Sequence, residues 1–247
     1  MHELHDVLKQ LKGKEWVDLT HNVYPEMPRF SMFDPIDEEV LFTKEEAGFF
    51  VKKYTFTGQY GTHIDAPVHF SQEYLRDITE IELKELWAPL YVLRLENRVA
   101  QNDDYSVSVD DILEFEKEYE KIPEGAFVAF CSNWSKRWEN PDEFYNFDKE
   151  GKPHTPGWSE EAVKFLAHER KVVAIGHENL DTDASMEAAA KGFFFAEKAI
   201  LDANCYQIEV MKNLDKVPPV GAIIISLVPK IDKSPGFPIR SMAILPE

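Results

Sequence analysis

At 247 residues, with 44% hydrophobic and 29% charged side chains, the chain has the composition of a folded globular protein with a sizeable core, which excludes general disorder. Its 45 acidic against 27 basic residues give a net charge of −18, a surface that repels phosphate backbones and anionic lipids, so neither nucleic acid nor membrane is expected as a partner. Only Cys131 and Cys205 are present, both in apolar stretches. That is too few for a disulfide framework and reads as two buried free thiols in a cytoplasmic protein.

The opening MHELHDVLKQLKGK spaces Leu4, Val7, Leu8 and Leu11 as a helix and carries acids, unlike a secretory signal. WVDLT (16–20) is a short strand. Pro25, Pro28 and Pro35 break 21–38 into an irregular loop. Within that loop Tyr24, Met27, Phe30, Met32 and Phe33 crowd together and are expected to pack on a pocket or on a neighbouring subunit. From Phe50 to Asp65 the pattern reads as extended, with Gln59, Gly61, His63 and Asp65 on one face.

PLYVLRLE, AFVAFCS and KVVAIG are buried strands. Between them fall a helix capped by Ser108 with Ile112, Phe115, Tyr119 and Ile122 on its core face, and a helix over Ser159–Arg170. The Trp-, Pro- and Asn-rich stretch 132–158 reads as a binding loop. A helix around 190–203 precedes the strand CYQIEV, and GAIIISLV and IRSMAIL close the chain. The alternation points to an α/β fold: a single domain over 1–247, with a mixed β-sheet core flanked by helices.

The chemistry concentrates in Gly61-Thr62-His63-Ile64-Asp65-Ala66-Pro67-Val68-His69-Phe70. Two residues apart on a strand, His63 and Asp65 project together, as two ligands of one cation require, and His69 follows closely enough to reach the same pocket. Imidazole with carboxylate suits Zn²⁺, Mn²⁺ or Fe²⁺. A surface hydrogen-bonded pair is the alternative for His63 and Asp65. Glu209, between Ile208 and Val210 in an apolar strand, calls for a metal or a cationic partner, a Lys or Arg bridge being the alternative. His177 and Glu178 follow a strand end, where open sheets carry ligand sites, with Asp181 and Asp183 in reach to orient them. The competing reading is an Asp-rich turn with Asp183 capping a helix.

The motif resembles the signature of the cyclase family of metal-dependent hydrolases, which includes bacterial kynurenine formamidases and isatin hydrolases. WVDLTHNVYPEMPRF, IPEGAFVAFCSNWSKRW and VGAIIISLVPKIDKSPGFPIRSMAIL extend the resemblance along most of the chain. It implies a swivelling β/β/α fold and a divalent metal, Zn²⁺ first and Mn²⁺ second. It further implies metal ligands at His63, Asp65 and Glu209, a proton-shuttling His69, and Tyr24 on the substrate. Two family histidines are replaced, by Gln59 and Glu197, which are carried over as ligand positions. The resemblance also implies a homo-oligomer, dimer or tetramer.

The expected function is metal-assisted hydrolysis of an amide-type C–N bond in a small substrate: an N-formyl aryl amine, a cyclic imide or a lactam. The competing readings are a non-catalytic metal- or ligand-binding relative on the same scaffold and a metal-dependent cyclase or dehydratase. Turnover of small amides by metal-replete but not chelated protein separates the first two.

Overall fold

The chain's most apolar runs, Phe127–Cys131 and Ala174–Gly176, lie side by side in the middle of a nine-stranded sheet. The structure is a computed structural model describing residues 2–73 and 76–246. In chain order the strands are β1 (Trp16–Asp18), β2 (Asp37–Phe42), β3 (Val51–Thr55), β4 (His63–Asp65), β5 (Trp87–Arg94), β6 (Ser106–Val107) and β7 (Phe127–Cys131). They continue as β8 (Gly157–Trp158), β9 (Ala174–Gly176), β10 (Tyr206–Glu209), β11 (Ala222–Leu227), β12 (Gly236–Pro238) and β13 (Arg240–Ile244).

The main sheet runs β1-β13-β11-β5-β7-β9-β10-β4-β12. Its centre, β5-β7-β9-β10, is parallel, and both flanks are antiparallel. Parallel strands buried on both faces read as continuous apolar runs, which is why AFVAFCS and KVVAIG show no alternation. One face takes Val128, Phe130 and Ile175 into a core with Ile112 and Phe115, Val163 and Leu166, and Ile200 and Leu201, each pair from a different helical segment. The other face, with Phe127 and Ala129, is closed by Leu19, Ile224 and Ala243 from the curled antiparallel flank.

Local sequence explains most of the helices. Ser108 caps Val109–Glu118 in a full capping box with Asp111, and Ser159 caps the next helix through the Ala162 N–H. That helix is regular only over Glu160–Lys164 and then widens into a π-helical stretch, Phe165–Arg170.

Two expectations differ from the fold. The helix expected around 190–203 is two, Ser185–Lys191 and Phe195–Asp202, because Gly192 adopts a left-handed φ of 71° and ends the first. The extended run expected over 50–65 is broken. Val51–Thr55 pairs with Asp37–Phe42 in a separate exposed ribbon, and the chain bends through 56–62 before β4 begins.

Candidate active site

β4 lies between β10 and β12, antiparallel to both. Glu209 stands opposite His63, and Gln207 opposite Asp65. Residues opposed across an antiparallel pair project from the same side of the sheet. His63, Asp65, Gln207 and Glu209 therefore emerge on one face, while Ile64 and Ile208 enter the core on the other. His63 Nε2 lies 3.3 Å from Asp65 Oδ2 and 3.4 Å from Glu209 Oε2.

The other ring nitrogen, Nδ1, is 3.0 Å from the Gly61 carbonyl oxygen and donates its proton there. This tautomer leaves the Nε2 lone pair aimed at the carboxylates, the arrangement a ligating imidazole needs. Gly61 serves the site through its backbone rather than by leaving open space. Its φ is +60°, and an added Cβ would stand 3.0 Å from Val23 Cγ2.

The helix Phe195–Asp202 delivers Glu197. Asp183 holds its first turn, accepting from the N–H groups of Ala196 (2.9 Å) and Glu197 (3.0 Å). Gln207 Nε2 donates to Glu197 Oε1 and Glu209 Oε1, both at 3.1 Å, and toward Asp65 Oδ2 at 3.3 Å. Thr182 Oγ1 fixes the amide by donating to Gln207 Oε1 at 2.7 Å. His69, on the turn Pro67–His69, approaches Glu197 Oε1 at 3.7 Å, its side chain 29% exposed. Two groups of donor atoms thus fall within reach of a single cation, His63/Asp65/Glu209 and Asp65/His69/Glu197, with Asp65 common to both.

The electrostatics fit a divalent ion. Asp65, Glu209 and Glu197 are 0%, 5% and 6% exposed, and among the described residues no lysine or arginine pairs with them. Burial, against the opposing pull of His63 and with the help of neighbouring carboxylates, pushes Glu209 up to about 8; burial and then the charges of Glu209 and Asp65 push Glu197 well above the carboxylate range. Burial alone would lower His63, but Asp65 and Glu209 together outweigh it and raise its pKa. His63 Nε2, Asp65 Oδ1 and Gln59 Nε2 are buried without a hydrogen-bond partner. Such a concentration of buried anions and unsatisfied donor atoms is costly alone and is resolved by a cation.

The backbone is strained beside Glu209. Val210, β-branched, has φ +56° and is locked there by the Thr62 hydroxyl on its carbonyl and by its own N–H on Asn179 O.

The remaining sequence candidates divide. Gln59 lines the cavity, in the space that Gly236 leaves open: a Cβ on Gly236 would stand 2.5 Å from Asp65 Oδ1 and 2.8 Å from Gln59 Nε2. His177 lies behind the cavity wall, its Nε2 3.4 Å from Glu209 Oε1. Burial, followed by the His63 charge, lowers its pKa to about 3. Glu178 does not face the cavity. It accepts from the Ser132 N–H (2.8 Å) and the hydroxyls of Ser132 (3.0 Å) and Ser135 (2.6 Å), tying β9 to the segment after β7. Asp183 holds the Glu197 helix rather than orienting this pair.

Tyr24 is also displaced from the expected place: its hydroxyl donates to Trp138 O, and Phe30 and Phe33 from the same loop line the cavity instead. Gln207 is not among the sequence candidates, since a neutral glutamine in an apolar strand does not demand a partner as the Glu209 carboxylate does. Its spacing of two from Glu209 was the available signal.

The cavity over these residues holds about 220 Å³, with Phe33, Phe70, Leu180 and Phe194 as its apolar wall and His69 at its side. The family model described as putative cyclase matches residues 17–184. The chain belongs to the cyclase family. Isatin hydrolase of Roseibium aggregatum is 32% identical over 203 residues, spanning 81% of this chain and 76% of that protein.

The solved structure of isatin hydrolase A from Labrenzia aggregata bound to benzyl benzoate superposes with a TM-score of 0.92 at 28% identity, covering 99% of this chain and 100% of that one. Kynurenine formamidase of Bacillus cereus is 30% identical over 88 residues, 35% of this chain and 42% of that protein. This cyclase-family chain is a metal-dependent hydrolase acting on C–N bonds other than peptide bonds. Among the described residues no helix is long and apolar enough to cross a membrane.

Proposed function

We propose that the protein opens a cyclic imide or lactam, or cleaves an N-acyl aryl amine, with His63, Asp65 and Glu209 holding the metal and Glu197 and Gln59 at its margin. The observation that carries this reading is the convergence of three buried carboxylates and His63 Nε2, without a lysine or arginine, beneath an aromatic cavity. A divalent ion bound there supplies the acidity that makes hydroxide from water near neutral pH and polarises the acyl oxygen.

The protein's own groups do the rest. Phe33, Phe70 and Phe194 bind the flat ring and keep bulk water from it. His69, part exposed and near Glu197, takes the proton from water and returns it to the leaving nitrogen. Gln207 keeps Asp65, Glu197 and Glu209 in register through its amide hydrogens. His177, neutral and buried, packs behind Glu209 and supports it.

One imidazole against three carboxylates is a harder donor set than the family's histidine-rich pattern. It shifts the choice from Zn²⁺, first on sequence grounds, toward Mn²⁺. Back-titration of chelated protein with each ion, read by calorimetry, decides between them.

The two free buried thiols support a cytoplasmic location. The largely exposed ribbon of β2 and β3, with Val40 and Phe42 on it and Phe49 and Phe50 just before β3, supports a homo-oligomer, dimer or tetramer. A panel of cyclic imides, lactams and N-formyl anilines, assayed with chelated and metal-reloaded protein, tests the activity. Turnover that returns only with metal is expected; no turnover of any member by the reloaded protein sinks the proposal.

A further inference from the structure

A second cavity, of about 190 Å³, lies beside the first and shares Phe30, Leu180, Asp181 and Phe194 with it, so these residues border both. Its outer wall is Phe144, Tyr145 and Phe147, from the 132–158 stretch, and its one basic residue is Arg29. The guanidinium is set in place by backbone carbonyls. Nε donates to Phe33 O at 3.0 Å and Nη1 to Met27 O at 3.5 Å. Tyr145 clamps the backbone of the same residue, accepting from its N–H and donating to its carbonyl, both at 2.8 Å.

Arg29 is unlike the other arginines. Arg76, Arg94, Arg98, Arg137, Arg170 and Arg240 each pair with a carboxylate. Among the described residues Arg29 alone has no acid partner, in a chain with a net charge of −18. An arginine held at an aromatic cavity by two loop carbonyls, with its Nη2 hydrogens and its charge uncommitted, is built to receive an anion. Asp181 lines both cavities and adds to the negative field at Glu197 and Glu209, so an anion is repelled from the carboxylate cluster and Arg29 is the positive group left to receive it.

We propose that the substrate carries a carboxylate on the side of its aryl ring away from the scissile amide, and that Arg29 receives it in the second cavity. The amide then lies at His69 and the ring crosses the Phe30–Phe194 boundary. Only the position of the scissile end rests on the hydrolase reading above.

Calorimetry with two probes of one skeleton tests the subsite: 4-(4-formamidophenyl)butanoate and its neutral primary carboxamide, each titrated into chelated protein. Wild type should bind the carboxylate about tenfold more tightly than the carboxamide, as a charge-assisted fork provides. Arg29→Leu should reduce that preference to within about twofold. Arg29→Gln, which keeps a donor for the loop carbonyls, should do the same if the leucine variant is poorly folded.

Equal binding of the two probes by wild type overturns the proposal, as does a preference that survives in either variant. Initial rates on metal-loaded wild type separate this outcome from the parent reading. Carboxylate preference with no turnover of this probe or of any member of the panel above sinks the proposed activity and leaves the Arg29 subsite standing. Turnover with no carboxylate preference does the reverse.

Discussion

Glu209 faces His63 across the β4–β10 pair, and the one-step register that puts them together also sets Gln207 against Asp65. A slip of β4 by one residue against β10 would turn Ile64 toward the cavity and His63 and Asp65 to the core side. The site is therefore a property of strand register as much as of residue identity.

Asp65→Ala should strip the metal, because Asp65 is shared by both donor groups. His69→Ala should leave metal content near normal while lowering kcat by about 10²–10⁴, the usual loss for a general acid–base group. Metal per chain by elemental analysis, measured beside kcat, checks both. If His69→Ala loses metal as completely as Asp65→Ala, His69 is a ligand and the proton must travel by another route.

Gln207 makes a different prediction. Its amide hydrogens are shared among Asp65, Glu197 and Glu209, so Gln207→Leu removes the neutral donor that all three acids share. Metal affinity should fall about 10–100-fold, the range found when groups that orient ligands are lost. Competition with a chelator of known affinity measures it. An unchanged affinity would mean that the carboxylates are held by their strands and helix alone.

What could be read in advance follows from where the information lies. The central strands, the Ser108 and Ser159 caps and the ligand types at His63, Asp65 and Glu209 are short-range signals of period, capping and side-chain chemistry. The partition of the 177–183 loop is not. His177 and Glu178 are consecutive yet point to opposite sides of the sheet, one to Glu209 and the other to Ser132 and Ser135. Alternation foretells the opposition but not which side holds the cavity. The place of Tyr24 is a related case: the aromatic loop 24–33 folds so that Met27 is buried and Phe30 and Phe33 reach the cavity, and no local rule fixes that choice. Gly236 was invisible because its role depends on Asp65 and Gln59, distant in sequence.

Removing the metal should reverse part of the usual pH dependence of stability. In the chelated protein Glu209 titrates near 8, while the unfolded chain loses that proton near the ordinary glutamate value. The native state thus binds more protons than the unfolded state, so stability falls as pH rises through that interval. Raised pKa values at Glu197 and His63 act in the same direction, and the opposing contribution of His177, lowered to about 3, is complete above its unfolded pKa. Between about pH 6.5 and 8.5 the Tm of chelated protein should drop by several degrees, while saturating metal, which favours the deprotonated ligands, removes the drop. Parallel thermal melts with and without metal test this, and a flat profile for the chelated protein would contradict it.

Gln59 offers the converse test, a ligand gained. Its side chain lies in the cavity with Nε2 buried and unpartnered, in the space that Gly236 leaves beside Asp65 Oδ1. Imidazole is a better ligand than a carboxamide for Zn²⁺, and the gain should be smaller for the harder Mn²⁺. Gln59→His should therefore tighten Zn²⁺ by about tenfold or more and Mn²⁺ by less, changing the metal preference as well as the affinity. Calorimetric titration of both ions into chelated wild type and variant measures the two shifts together. Equal affinities in the two proteins would place Gln59 outside the coordination sphere and leave its amide to bind substrate. A Zn²⁺-selective gain would show that the position still has a ligand's geometry and that glutamine sets the metal the site prefers.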